Sequence, residues 1–157
     1  MTSTVTAATL TVKITETISL KGADQGAENT LSIASIDHVM KRIVTATTTE
    51  QTILAFHVSA VAAGQFLETR VRYIRITNLD DTNFVVLTFK NENDDEFAVK
   101  LDKGQSFIYN ADSTGGVVDT MDAIDGTGLS LSLGDLVDIT ADADTASCDL
   151  ELFVAST

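Results

Sequence analysis

The chain has 157 residues, 44% of them hydrophobic and 21% charged, with a formal net charge of −13. That is the composition of one folded domain able to bury a core without metal or disulfide support, not of a disordered tail. Ten basic residues against 23 acidic ones argue against a partner such as nucleic acid or an anionic membrane, both of which need clustered cations.

The opening MTSTVTAATLTVKITE has neither a basic leader nor a continuous apolar stretch, so no secretory signal is expected and the chain is read as made in a host cytoplasm. Proline is absent, threonine and serine abound, and apolar residues recur at every second position, which is strand composition. In LTVKITETISL the even positions Leu10, Val12, Ile14, Ile18 and Leu20 are apolar, and Glu16 interrupts their row, marking a bulge, bend or break. KGADQGAEN reads as a loop, TLSIASI, VMKRIVTA and TILAFHV as strands, and SAVAAGQFLET as a loop interrupted by Gly64.

RYIRITN and FVVLTF read as two strands joined at Asp80-Asp81-Thr82-Asn83. Pairing Leu79 with Phe84 sets Ile76 opposite Leu87 and Ile74 opposite Phe89, a hairpin with one apolar face. After the acidic loop NENDDE, EFAVKL and SFIYN form a second expected hairpin around Asp102-Lys103-Gly104-Gln105, with Gly104 at positive φ. ADSTGGVVDTMDAIDGTG reads as an extended surface loop, and LSLSL, DLVDITA and CDLELFVA close the chain, the last two joined by the polar turn DADTAS. About nine or ten short strands with frequent turns predict one all-β domain over residues 1–157. The expected architecture is an antiparallel sandwich or barrel, jelly-roll-like, with an extended segment at 1–9.

Chemistry is sparse. His38 and His57 have no nucleophile elbow or acid partner in a recognisable pattern. Cys148, the single cysteine, sits in an alternating run and reads as a small buried hydrophobe. Two acidic groups, Asn91, Asn93, Asp94, Asp95 and Glu96, then Asp142, Asp144 and Asp149, lack the ligand spacing of a calcium loop and read as solvated turns. No catalytic, cofactor or metal residue is assigned.

Three of the four arginines fall within six positions, at Arg70, Arg72 and Arg75. In a regular strand Arg70 and Arg72 share a face with Ile74 and Ile76, while Arg75 points with Val71, Tyr73 and Thr77. Arg70 and Arg72 are therefore expected where the core opens, against carboxylates of this chain or of a neighbouring subunit. Arg75, opposite Thr88, is expected at a solvated rim. Several strands (VVLTF, FIY, IVTA) are apolar on both faces, which predicts cover from outside the monomer, with symmetric self-association the simplest source. Arg70, Arg72 and Tyr73 are the interface candidates.

The stretch RYIRITNLDDTNFVVLTFKNENDDEFAVKLDKGQSFIYN, with the later LSLGDLVDITADADTASCDLELFVAS, resembles small β-rich virion proteins of tailed phages, especially marine and cyanobacterial ones. The shared elements are a strand ending in ITN, a turn into a V-x-L-x-F strand, a polar loop and a K-G-Q-S-F turn. The resemblance covers about half the chain and contains no catalytic signature. It implies a non-enzymatic decoration or cement protein on the virion, binding the major capsid protein as a homotrimer. A tail-fibre or baseplate module and a glycan-binding sandwich are the alternatives.

Overall fold

β-branched and alternating residues assemble into an all-β sandwich in the computed structural model, which describes residues 4–59, 62, 65–123 and 133–157. The strands are β1 (Ala8–Glu16), β2 (Ser19–Leu20), β3 (Ala23–Asp24), β4 (Ala27–Ile36), β5 (His38–Ala46), β6 (Gln51–His57) and β7 (Phe66–Leu67). After one 3-10 turn, Glu68–Arg70, come β8 (Val71–Asn78), β9 (Val85–Asn91), β10 (Glu96–Leu101), β11 (Ser106–Asn110), β12 (Leu136–Ala143) and β13 (Cys148–Ser156). The segment read as a loop around Gly64 thus supplies a short strand and the 3-10 turn, although Gly64 itself lies outside the described residues. So does most of the expected strand LSLSL.

One sheet runs β11-β8-β13-β5, and the other runs β10-β9-β12-β6 with β7 added in parallel at its edge. This is the strand order of an eight-stranded jelly roll, open at its edges and not a closed barrel. Its connections correct both expected hairpins. β8 pairs with β11 and β13, whereas β9 pairs with β10 and β12, so the Asp80–Asn83 segment crosses between sheets. The same holds for β10 and β11 on either side of Gly104. Ile74 and Ile76 do share a core with Leu87 and Phe89, but by contact between sheets and not by ladder pairing. Alternation identified the right faces and the wrong neighbours, because strands opposed across a core carry the same apolar rows as strands paired within a sheet.

The space between the sheets is filled by Leu54, Phe56, Ile74, Ile76, Leu87, Phe89, Leu136, Ile139, Leu150 and Leu152, all essentially without solvent contact. Cys148 is buried there too, and burial pushes its thiol pKa up.

Each crossing is fastened by a buried or tightly held polar group. Asn78, fully buried, donates from Nδ2 to the carbonyls of Asn83 (3.0 Å) and Leu101 (3.3 Å), and its Oδ1 accepts the Asp80 N–H. Its backbone exchanges hydrogen bonds with Gln105 and Gly104, so one side chain ties the β8–β9 crossing to the β10–β11 turn. Gly104 has φ +70°, as its turn position requires. The region from Ala111 is less open than its glycines suggest. Asp112 accepts from the N–H groups of Thr114 and Gly115 and from the Thr114 hydroxyl, which lowers its pKa to about 2. Val117 and Met121 are buried, with Val117 N–H bonded to the Glu68 carbonyl.

Gly116, at φ +71°, passes so close to Glu68 that a Cβ would lie 2.0 Å from its carbonyl oxygen. Gly116→Ala therefore costs about 1–2 kcal/mol in backbone conformation alone, with the overlap added, and lowers the urea midpoint accordingly. Asn78→Ala takes a donor from the buried Leu101 carbonyl and the part-buried Asn83 carbonyl and lowers stability by about 1–3 kcal/mol in the same assay.

Candidate assembly surface

Residues 8–36 form an arm that stands apart from the two sheets. Its register holds from Leu10↔Ile33 through Leu20↔Ala23, closing on a two-residue turn in which Lys21 (φ 52°) and Gly22 (φ 80°) both take the left-handed conformation. Such turns match the twist of a two-stranded ribbon. The expected loop KGADQGAEN is therefore the tip and returning strand of a hairpin; its signal was weak because Lys-Gly is a rarer turn pair than Asn-Gly. The expected break at Glu16 is present. β1 ends there, and Gly26 packs so tightly that a Cβ would meet the Glu16 carbonyl oxygen at 2.4 Å.

Opposed residues of an antiparallel pair share a face. One face of the arm therefore carries Leu10, Val12, Ile14, Glu16, Ile18 and Leu20, with Ile33 and Leu31 opposite the first two. At the base, Leu10, Val12 and Ile33 pack on Tyr73, Phe153 and Ala155 of the four-stranded sheet. Toward the tip the same row is open, with Ile18 52% and Leu20 59% exposed.

The outer face of that sheet can be read across its registers. One row is Val39, Ala155, Tyr73 and Asn110; the next is Lys41, Phe153, Arg75 and Ile108; the third is Ile43, Glu151, Thr77 and Ser106. The base of the arm covers Ala155 and Tyr73 in the first row and reaches Phe153 in the second. On the other two, Arg75 meets Glu151 at 2.6 Å and Lys41 meets it at 3.0 Å, and the Arg75 guanidinium lies 6.0 Å from the Phe153 ring centre. Ile43 (60%), Val39 (49%) and Ile108 stand exposed around them.

The arginine expectations are corrected by this geometry. A register shift between Ala155 and Ser156 places an extra β8 residue opposite β13, so the strand is not regular at Arg72. Val71 and Ile74 consequently both enter the core despite opposite parity. Arg72 bends back to the carbonyls of Thr69 (2.8 Å) and Val71 (3.1 Å) instead of reaching a carboxylate. Arg70 is exposed on the 3-10 turn and makes no ion pair among the described residues. Arg75, expected as a rim residue opposite Thr88, is the ion-paired one, with Phe153 and Ile108 as its strand neighbours. Tyr73 is only 4% exposed, edge-on to Phe153 at 5.9 Å beneath the arm, so within this chain its partner is the arm itself.

Both histidines are exposed, at the start of β5 and the end of β6. The 91–96 loop is closed by its own bonds: Asn91 Oδ1 accepts the N–H groups of Asn93 and Asp95, and Asn91 Nδ2 donates to Asp95. Asp142 and Asp149 lie on strands of different sheets, and Asp149 accepts from the Thr45 hydroxyl at 2.7 Å. A buried carboxyl that sequence reading passed over is Glu68. Burial, then Asp135 and Glu92, raise its pKa, while His57 opposes them. Its position in a glycine-containing stretch gave no periodic signal.

No family model matches the chain, and no curated protein matches it either.

The bonds from Arg75 and then Lys41 hold the Glu151 carboxyl below its ordinary pKa of 4.5. A carboxylate with a depressed folded pKa stabilises the fold above its unfolded value, and that contribution is lost as pH falls through the folded one. Glu151→Gln should therefore lower the Tm at neutral pH, and the gap to the wild-type chain should close on acidification below about 4.5.

Proposed function

We propose that this chain is a non-enzymatic virion structural protein of a tailed phage, a decoration protein that reinforces the capsid by binding the major capsid protein as a homo-oligomer, a trimer in our reading. The observation that carries this is the arm: a sandwich with its own buried core extends a two-stranded ribbon with an apolar row open along its outer half. Such a row gains stability only when something covers it, at about 25 cal/mol for each Å² of apolar surface removed from water. A shell whose subunits are bridged in this way must expose that surface in order to rupture.

The resemblance to phage virion proteins rests on positions that fasten the fold. The ITN strand ends in the buried Asn78, Val85, Leu87 and Phe89 face the core, and the K-G-Q-S-F turn holds Gly104 against Asn78. These residues support kinship in architecture, and jelly rolls serve capsids, lectins and enzymes alike, so the arm carries the functional reading. Against a glycan-binding sandwich, Tyr73 is buried and Tyr109 is half-buried, so neither offers an open stacking face.

Co-sedimentation with shells assembled from the major capsid protein of the same genome tests the proposal. Saturable binding at fixed stoichiometry, with a higher temperature of shell rupture, is the expected result. Binding to isolated tails and not to shells would move the protein to the fibre or baseplate, and binding to neither would end the virion reading.

A further inference from the structure

The arm and the sheet it rests on each leave half of a matching surface open. The base of the arm covers Tyr73, Ala155 and Phe153, while Ile14, Ile18 and Leu20 lie beyond that cover. The sheet continues outward into two rows that the arm covers only at Phe153, where exposed Ile43 and Ile108 flank Lys41 and Arg75. Charge matches as well as polarity. The two open rows hold two cations and one carboxylate, Glu151, an electropositive spot on a chain of net charge −13. In the middle of the arm's apolar row sits the exposed Glu16, which makes no ion pair among the described residues.

Within one chain the two halves do not meet. Its ribbon keeps one register from base to tip, and Ile18 and Leu20 stay more than half exposed instead of covering the sheet that the base occupies. Repulsion between bodies also favours contact through the arm. Residues 8–36 hold Lys13 and Lys21 against Glu16, Asp24 and Glu28, a net −1 out of −13, so the arm approaches an acidic neighbour at little electrostatic cost. Reach is sufficient: Ile14 to Leu20 spans about 20 Å at about 3.3 Å per residue, against about 15 Å across four strands.

We propose that the outer half of the arm lies on the open rows of the four-stranded sheet of a second copy of this chain. Ile14, Ile18 and Leu20 cover Ile43 and Ile108 there, and the Glu16 carboxylate joins Lys41 and Arg75. Each copy then gives an arm and receives one, which closes a ring when the rotation between copies permits. This deepens the structural reading above by naming the partner of the arm as the chain itself.

Sedimentation of the wild-type chain, Glu16→Lys, Lys41→Glu and the double variant tests it, with circular dichroism to confirm folding. The expected result is an oligomer for the wild type, association weakened at least about tenfold in Kd by either single reversal, and recovery in the double variant. A second test uses the cysteine content of the chain, whose one native thiol is buried. A Glu16→Cys, Lys41→Cys chain should form a disulfide between chains under mild oxidation, visible as a ladder on a non-reducing gel, and this test decides if a charge variant misfolds. A monomeric wild type, or an oligomer indifferent to both reversals and without the cross-link, overturns the inference. Shell binding by an oligomer that ignores Glu16 and Lys41 leaves the decoration role standing and removes the arm exchange. Arm exchange without shell binding does the reverse.

Discussion

The four-stranded sheet has to be covered on both faces, and much of the molecule follows from that requirement. Its inner rows, from Ile74 and Ile76 to Leu150, Leu152 and Val154, pack on the opposite sheet. Its outer face places Tyr73 and Phe153 where a lone sandwich would leave them wet, and the base of the arm packs over them. Strand β13 shows the consequence most clearly, being buried or half-buried at all but one of its positions. A sheet apolar on both sides is a liability for a soluble domain, and here it doubles as the seat of the arm.

Two-sided apolarity was read in VVLTF, FIY and IVTA, whereas the covered outer residues Tyr73, Phe153 and Ala155 lie on β8 and β13; the all-β class, the alternating rows and the break at Glu16 were legible. Pairing was not. Period-two alternation says which residues share a face and is silent on which strand lies alongside, so RYIRITN and FVVLTF fitted a hairpin as well as a sandwich crossing. Asn78 settles the matter physically. A buried asparagine must bond what surrounds it, and its partners at Asn83, Leu101 and Asp80 belong to a crossing between sheets. No sequence pattern announces where such a side chain points.

The arginines show a different limit. Parity arguments hold only while a strand keeps its register, and the extra residue near Arg72 shifts everything before it. Arg75 gains its place from a neighbour 76 positions away, Glu151, brought alongside by the β8–β13 ladder. Charge density in the sequence thus pointed to β8, where the arginine that finds a carboxylate is Arg75 and not Arg70 or Arg72. The contact proposed for the arm draws on Lys41, Ile43 and Ile108, from strands whose adjacency only the topology reveals.

The route by which the arm joins the body also decides how a pull would travel. The arm passes through Ile36 and Asp37 straight into β5, an edge strand held along nine residues to β13, and its underside grips the same sheet through Leu10, Val12 and Ile33. Tension on the tip is thus divided between a hydrogen-bonded seam and an apolar footing. With the Asp37 N–H bonded to the Ser156 carbonyl at the junction, the seam is anchored where the load arrives. The arm is mounted as a tether, its force delivered into the four-stranded sheet beside the deeply buried strand β13.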